Sequence, residues 1–395
     1  MHKAKKILFI ANSLGDPHGS SQSALDVINS LRGQYSIYLI TKTFPYVNPF
    51  VAKTYNAFFF SCCLERTKVG WIFGRFKLFR LISILDLLFL RLQLLGSSFD
   101  LVIVNGYESM PCWLSFKKCF SNKYKTCVIS RESPRHFSQG DIDISLDSQQ
   151  KFLLDFDHII FVSSILKAEW SSSLKLRNAC YYLPNCCNED RFLSIANALD
   201  RNLEMRCNLR IDDKCFLIIN IGGVERRKGQ DDLFELAARL HHKYSVNFKI
   251  VCVGPINTDY GATFKSNVLS SIVGSRFIFT GALNDVSVWF RAADLLIFTS
   301  RAEAMPRTIL EGMASGIPII SSNVDGIPEL IQHGVSGYMY TPGDIDELEK
   351  FAFSLMTNSV VSKSFASKAR NRYLDIFSRA NHRARLHGIV DDMLS

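Results

Sequence analysis

Two glutamates eight positions apart, Glu303 and Glu311, sit in the run RAEAMPRTILEGMASGIPIISS (residues 301–322), which is otherwise mostly apolar. Buried carboxylates are costly unless paired or hydrogen-bonded. Pro306 suits the first turn of a helix, Gly316 suits its C-terminus, and Pro318 stops it. The spacing therefore predicts a helix from about Pro306 to Ser315. Glu303 then lies in the approach loop, and Glu311 about a turn and a half inside the helix. The backbone amides of Met305 and Arg307 and the positive helix end would face the same place. A ligand carrying both hydroxyls and phosphate would satisfy this set, since carboxylates accept from hydroxyls and amides donate to anionic oxygens. The plainer reading of Glu303 is a carboxylate that only favours the helix dipole.

A second run, IGGVERRKGQ (residues 221–230), joins flexible backbone to charge. Gly222 and Gly223 let a backbone approach a ligand closely. Arg226, Arg227 and Lys228 offer phosphate-neutralising charge in one loop, or else form a solvated surface cluster. VGPIN repeats the strand-then-glycine pattern at Gly254. Nearer the start, GDPHGSSQ lacks the GxGxxG dinucleotide fingerprint, which argues against a nicotinamide dehydrogenase. Gly19 and Ser20 there still suit an anion nest at a helix start. SRESPRHF places Arg131, Glu132 and His136 after a strand; His136 also reads as an ordinary surface histidine.

These residues need strands to present them. KILFIAN, YSIYLIT, DLVIVNG, TCVISRES, HIIFVSS and ACYYLPN are short apolar runs that end in polar loops. CFLIINIGG, FKIVCVGP, RFIFTGA, DLLIFTS and PIISS form a second set. Buried strands alternating with helical patterns imply parallel sheets covered on both faces. In such sheets ligands sit outside the carboxyl ends of the strands, where these loops lie. The expected fold class is α/β, with two Rossmann-like domains facing a central cleft. Their expected extents are 1–190 and 191–375, with a C-terminal helix over 376–395 crossing back to the first. The stretch Val69–Gly96 stands apart. Lys77, Arg80 and Arg91 fall on one narrow stripe of an otherwise apolar helical pattern that includes Trp71, Phe73, Phe76 and Phe79. It reads either as a helix with a wide buried face or as a basic amphipathic segment on an anionic membrane.

The 395 residues suit two domains, and 47% apolar with 21% charged residues is ordinary globular composition. The net charge is +9, and it is uneven: residues 1–200 carry 23 Lys and Arg against 16 Asp and Glu, the remainder 23 against 21. A basic first half suits an anionic partner, but nothing resembles a nucleic-acid-binding module. Eleven cysteines without CxxC spacing read as reduced thiols of a cytoplasmic chain, with no metal site expected. The start, MHKAKKILFIANSLGD, reads as a first strand rather than a signal peptide. No run of about eighteen apolar residues is free of charge, so no membrane span is expected.

Together these motifs resemble the retaining glycosyltransferases of family 4, which have the GT-B architecture. EAMPRTILE fits that family's E-x7-E signature, and the likeness continues through GMASGIPIISSNVDGIPELIQHGVSGYMYTPGD, with RKGQ and LPNCCNEDRF as further elements. It is specific over roughly residues 183–345. The resemblance implies that Glu311 binds the ribose of a nucleotide-sugar and that Glu303, with Ala304, Met305 and Pro306, holds the donor sugar. Lys228 and Arg227 would neutralise the leaving diphosphate, and Gly19 would pack against it from the other domain. Gly222, Gly223, Gly254 and Thr308 complete the implied donor set. The implied catalysis needs neither metal nor cofactor. The partners of both glutamates would then be donor hydroxyls rather than protein groups. Two departures stand out: Gly223 where many members carry arginine, and Arg131-Glu132 where many carry His-Glu. The implied acceptor is a glycan or lipid-linked glycan, at the inner face of a membrane if the basic stripe rests there. A nucleotide-sugar epimerase of the same architecture and a non-catalytic partner of another transferase remain as alternatives.

Overall fold

The computed structural model describes residues 4–14, 19–42, 56–60, 87–120, 123–132, 146–174, 176, 178–192, 206, 211–212 and 214–395. Thirteen strands are present among them. In the first half these are β1 (Lys6–Ile10), β2 (Ser36–Lys42), β3 (Asn56–Phe60), β4 (Leu101–Asn105), β5 (Lys125–Ser130), β6 (His158–Phe161) and β7 (Ala179–Tyr182). In the second they are β8 (Phe216–Ile221), β9 (Phe248–Val253), β10 (Phe277–Gly281), β11 (Leu295–Phe298), β12 (Ile319–Ser322) and β13 (Tyr338–Tyr340). The helices used below are α1 (Gly19–Leu31), α2 (Met110–Cys119), α3 (Ser164–Ser173), α4 (Arg307–Ser315) and α5 (Arg379–Leu394).

The strands form two sheets, ordered β3-β2-β1-β4-β5-β6-β7 and β10-β9-β8-β11-β12-β13. Every pairing is parallel. Central strands such as β4 and β11 are buried at every position, as helices on both faces demand. The strand order reverses between β1 and β4 in one sheet and between β8 and β11 in the other. A crevice opens at such a switch point, outside the carboxyl ends of the strands.

Backbone contact at the second switch point is tight. Gly222, after β8, and Gly254, after β9, both have φ of 153°. A Cβ on Gly254 would lie 2.1 Å from the carbonyl oxygen of Gly222, so no side chain fits there.

α5 lies against α1 and the first sheet. Tyr35 donates to Asp391 at 2.5 Å, Tyr181 to Asp392 at 2.5 Å, and His387 Nε2 sits 2.7 Å from the Ser30 carbonyl oxygen. Of the stretch 69–96, residues 69–86 lie outside the described residues, including Lys77 and Arg80. Residues 87–93 are helical; Leu90 and Leu94 are buried, whereas Leu88, Phe89, Leu92 and Leu95 are exposed beside Arg91. No helix among the described residues is long and apolar enough to cross a membrane. The eight described cysteines are free, Cys186 and Cys187 included.

Two glycine substitutions separate close contact from ordinary helix propensity. Gly254→Ala is expected to lower the free energy of urea unfolding by about 1–3 kcal/mol, from strain at its backbone. Gly388→Ala, in open space on α5, is expected to leave stability unchanged or raise it by up to about 1 kcal/mol.

Candidate active site

The loops that follow β8 and β11 meet across the switch point. After β8, residues Arg226–Lys228 form a single 3-10 turn that ends on Gly229 in the left-handed conformation, φ 62°. A Cβ there would lie 2.3 Å from the carbonyl oxygen of Thr299, so glycine lets the two loops touch. The contact is then stitched: Arg301 N–H donates to the Arg227 carbonyl at 2.7 Å, and Thr299 Oγ1 to the Lys228 carbonyl at 2.8 Å. Behind it, Arg301 donates to the buried Asp232 at 2.8 Å, and Tyr340 donates to the same oxygen at 2.8 Å.

Glu303 is the centre of this junction. Its Oε1 accepts from Arg227 at 2.9 Å, from Ser300 Oγ at 3.0 Å and from Lys228 Nζ. Its backbone is held from the other side. Its N–H donates to Asp325 at 2.8 Å and its carbonyl accepts from Gly326 N–H at 3.1 Å. Burial works against the charged carboxylate, but Lys228 and Arg227 outweigh it and hold the group down at about 2. Glu303 is therefore ionised at neutral pH. The side chain is 14% exposed, and Lys228 and Arg227 are 18% and 19% exposed, so a ligand can reach the cluster.

These contacts correct one expectation. Glu303 Oε1 already has protein partners, two cations and a hydroxyl, rather than waiting for ligand hydroxyls. A buried carboxylate this close to two cations pairs with them because the low local dielectric strengthens the attraction. All three donors reach the same oxygen.

Glu311 is placed differently. α4 begins at Arg307, with the extended Pro306 as its cap residue, and closes on Gly316 at φ 67°. Ile309, Leu310, Met313 and Ala314 bury one face of the helix. Glu311 Oε1 lies 3.8 Å from Arg307 Nε, beyond hydrogen-bond distance. Burial pushes its carboxyl up to about 7, with Arg307 and Arg191 opposing. Arg307 is itself committed elsewhere: it is paired with Asp26 of α1 and donates to the Cys186 carbonyl at 2.8 Å. Gly19, at the start of α1, also faces it, since a Cβ there would lie 3.8 Å from Arg307 Cδ. The N-termini of α1 and α4 thus meet at one arginine.

Residues 202–372 match the family model of glycosyl transferases group 1. This stretch of the chain carries that family's pattern. The resemblance extends to a N-acetyl-alpha-D-glucosaminyl L-malate synthase of Bacillus anthracis, 27% identical over 161 residues, 41% of each chain. It also extends to an alpha-galactosylglucosyldiacylglycerol synthase of Streptococcus pneumoniae, 23% identical over 217 residues, 54% of this chain and 56% of that one. The matched stretch thus spans about half the length of these curated relatives. A crystal structure of HepE from Anabaena, in complex with UDP and glucose, aligns over 98% of this chain and 99% of that one. Its TM-score is 0.77 at 17% identity. The fold is GT-B.

Against the group 1 pattern, the departures fall as follows. Gly223 leaves the usual arginine position empty of charge, and a Cβ there would lie 2.9 Å from Glu225 Oε1. Arg227 occupies the cluster beside Lys228, while Arg226 turns outward over the Tyr260 ring at 5.3 Å. Arg131 is half-buried, donating to Asn105 at 2.9 Å and Asn185 at 2.7 Å. Glu132 accepts from the backbone N–H of Arg131 at 3.2 Å and lies against Gly106. Burial and Glu108 push its carboxyl up to about 7. His136 lies outside the described residues. Ala304, Met305 and Pro306 are buried, and Thr308 and Ser20 are half-buried. Sequence motifs did not single out Asp26, the Arg307 side chain or Asp325, whose partners are remote in the chain, nor Ser300, which bonds Glu303 three residues on.

The two glutamates give opposite pH signatures. Glu303, held low when folded, stabilises above its unfolded value near 4.5, and that contribution is lost as pH falls towards 2. Glu311, held high, binds a proton on folding between about 4.5 and 7, so its burial costs most above 7. Glu311→Gln should therefore melt higher than wild type at pH 8, with the gain shrinking to nothing below pH 4.5. Thermal scans across pH on the ligand-free proteins check this.

Proposed function

We propose that the protein is a retaining glycosyltransferase that moves a sugar from a nucleotide-sugar to an acceptor hydroxyl. The observation that carries this reading is the convergence of Lys228, Arg227 and Glu303 at the switch point, beside the N-terminus of α4. In this reading residues 1–190 hold the acceptor, residues 191–375 hold the donor, and the last helix returns to the first domain.

Lys228 and Arg227 neutralise the diphosphate, helped by the amides at the start of α4. Charge builds on the diphosphate as the bond between the anomeric carbon and its phosphate oxygen breaks, so cations fixed beforehand lower the barrier. Glu303 has one oxygen occupied by the cations, and Oε2 accepts from a sugar hydroxyl with the backbone of Ala304, Met305 and Pro306. Glu311 accepts from the ribose hydroxyls; ionised, it offers acceptors only. The acceptor oxygen forms its new bond on the face from which the diphosphate leaves, and its proton passes to a diphosphate oxygen. The anomeric configuration is retained, and no side chain is required as base.

The acceptor reads as a glycan or lipid-linked glycan met at an anionic membrane surface. Supporting this are exposed Leu88, Phe89, Leu92 and Leu95 beside Arg91, and the positive balance of the first 200 residues. Binding to vesicles containing anionic lipid should be measurable at low salt and fall steeply as salt rises. A protein that ignores such vesicles at every salt concentration removes the membrane from the reading.

The donor is tested by a thermal-shift screen over a panel of nucleotide-sugars, because a ligand of the folded state raises the melting temperature. At least one should raise it in wild type, and Glu303→Ala and Glu311→Ala should each abolish most of the rise. Binding that survives both substitutions unchanged contradicts the site. Conversion of a nucleotide-sugar to its isomer without acceptor would point to an epimerase instead.

A further inference from the structure

Arg131 is the first residue after β5 and reaches into the seam between the two halves. Its Nε donates to Asn105 Oδ1, at the end of β4, at 2.9 Å. A terminal nitrogen donates to Asn185 Oδ1 at 2.7 Å. The planar guanidinium serves both acceptors at once, which the single ammonium of lysine matches poorly.

The second bond decides how Asn185 is turned. With its oxygen taken by a guanidinium, its NH2 must point the other way. There it donates to the carbonyl oxygen of Met305 at 3.0 Å. The backbone N–H of Asn185 also lies 3.1 Å from Met305 Sδ. Asn185 is 9% exposed and Met305 5%, so water competes little for either.

Met305 is the middle residue of the loop that leads from Glu303 into α4. The peptide that carries its carbonyl runs into Pro306, which has no N–H. That peptide plane cannot be held from its nitrogen side, and Asn185 holds it from the oxygen side. Asn105, Arg131, Asn185 and Met305 therefore form a continuous line from the first sheet to the loop beside Glu303.

We propose that Arg131 and Asn185 are positioning residues for the donor sugar, setting the 304–306 loop from across the cleft rather than contacting the acceptor. This rests on the transferase reading above. It assigns Arg131 to the donor although it comes from the first domain. It also predicts that the nucleotide and sugar parts of the donor depend on different residues: the diphosphate on Lys228 and Arg227, the sugar on this line.

The test compares two ligands on the full chain: the nucleotide-sugar picked out by the thermal-shift screen and its parent nucleoside diphosphate. The variants are Arg131→Met, which removes the first link, and Asn185→Asp. Asp at 185 still accepts from Arg131 but, ionised, cannot donate to Met305. Calorimetric titration should show the nucleoside diphosphate bound within about twofold of wild type by both variants, which also reports that they fold. The nucleotide-sugar should bind at least about tenfold more weakly, the scale of one lost buried, charge-supported hydrogen bond. Hydrolysis of the donor by water, with no acceptor present, should fall in parallel. If both ligands bind as in wild type while only transfer to an acceptor is lost, Arg131 faces the acceptor and the proposal is overturned. Equal weakening of both ligands also overturns it, because the cleft as a whole has then changed. A wild type that binds no nucleotide-sugar overturns the transferase reading and this inference with it, which keeps the two failures distinct.

Discussion

A carboxylate cannot stay charged inside a protein without opposing charge, and the second half of this chain is arranged around that constraint at Glu303. Its cations come from a loop 75 residues earlier in the sequence, on the neighbouring strand of the sheet. To bring them in, the loops after β8 and β11 must touch, and the touching fixes other choices. Gly229 must lack a side chain, Thr299 and Arg301 must bond the opposite backbone, and Asp232 must anchor Arg301 from below. The cations thereby stand against the loop that leads into α4. One electrostatic requirement thus shapes the packing of the switch point and gathers positive charge at the crevice.

The cleft is closed by a second group of contacts between the halves. Arg307 pairs with Asp26, Asn185 bonds Met305, and Glu329 accepts from Ser163 Oγ at 2.5 Å and Ile165 N–H at 2.8 Å, capping the start of α3. All three place a group from the second half on the first half. Glu311 lies next to this seam without a close partner, and burial raises it towards neutrality. Native proteins tolerate such local misfits where a ligand supplies the missing contact, and stability is then traded against function.

The strands that carry the site were legible because each is a continuous apolar run running into a polar loop. β13 was not, since Tyr338–Tyr340 is too short to make a pattern, and β3 gave no signal strong enough to separate it from its surroundings. Gly316 as the helix end was legible from conformational preference alone, and the start at Arg307 came within one residue. What one dimension hides is pairing. Read in order, the RRK loop and the EAM loop each point at a ligand; folded, they point first at each other. The same holds for Arg307 with Asp26, 281 residues apart, and for Arg131 with Asn185, 54 apart. Partners at such separations leave no periodic trace, and only the fold brings them together.

The claim that Glu303 is bound chiefly to the cations of the β8 loop is open to direct measurement by a double-mutant cycle. Unfolding free energies in urea would be determined for wild type, Glu303→Gln, Lys228→Met and the double variant at neutral pH. Residues in direct buried contact show coupling of about 0.5–3 kcal/mol, and the geometry here predicts a value in the upper part of that range. Additivity of the two substitutions to within about 0.3–0.5 kcal/mol would contradict the account.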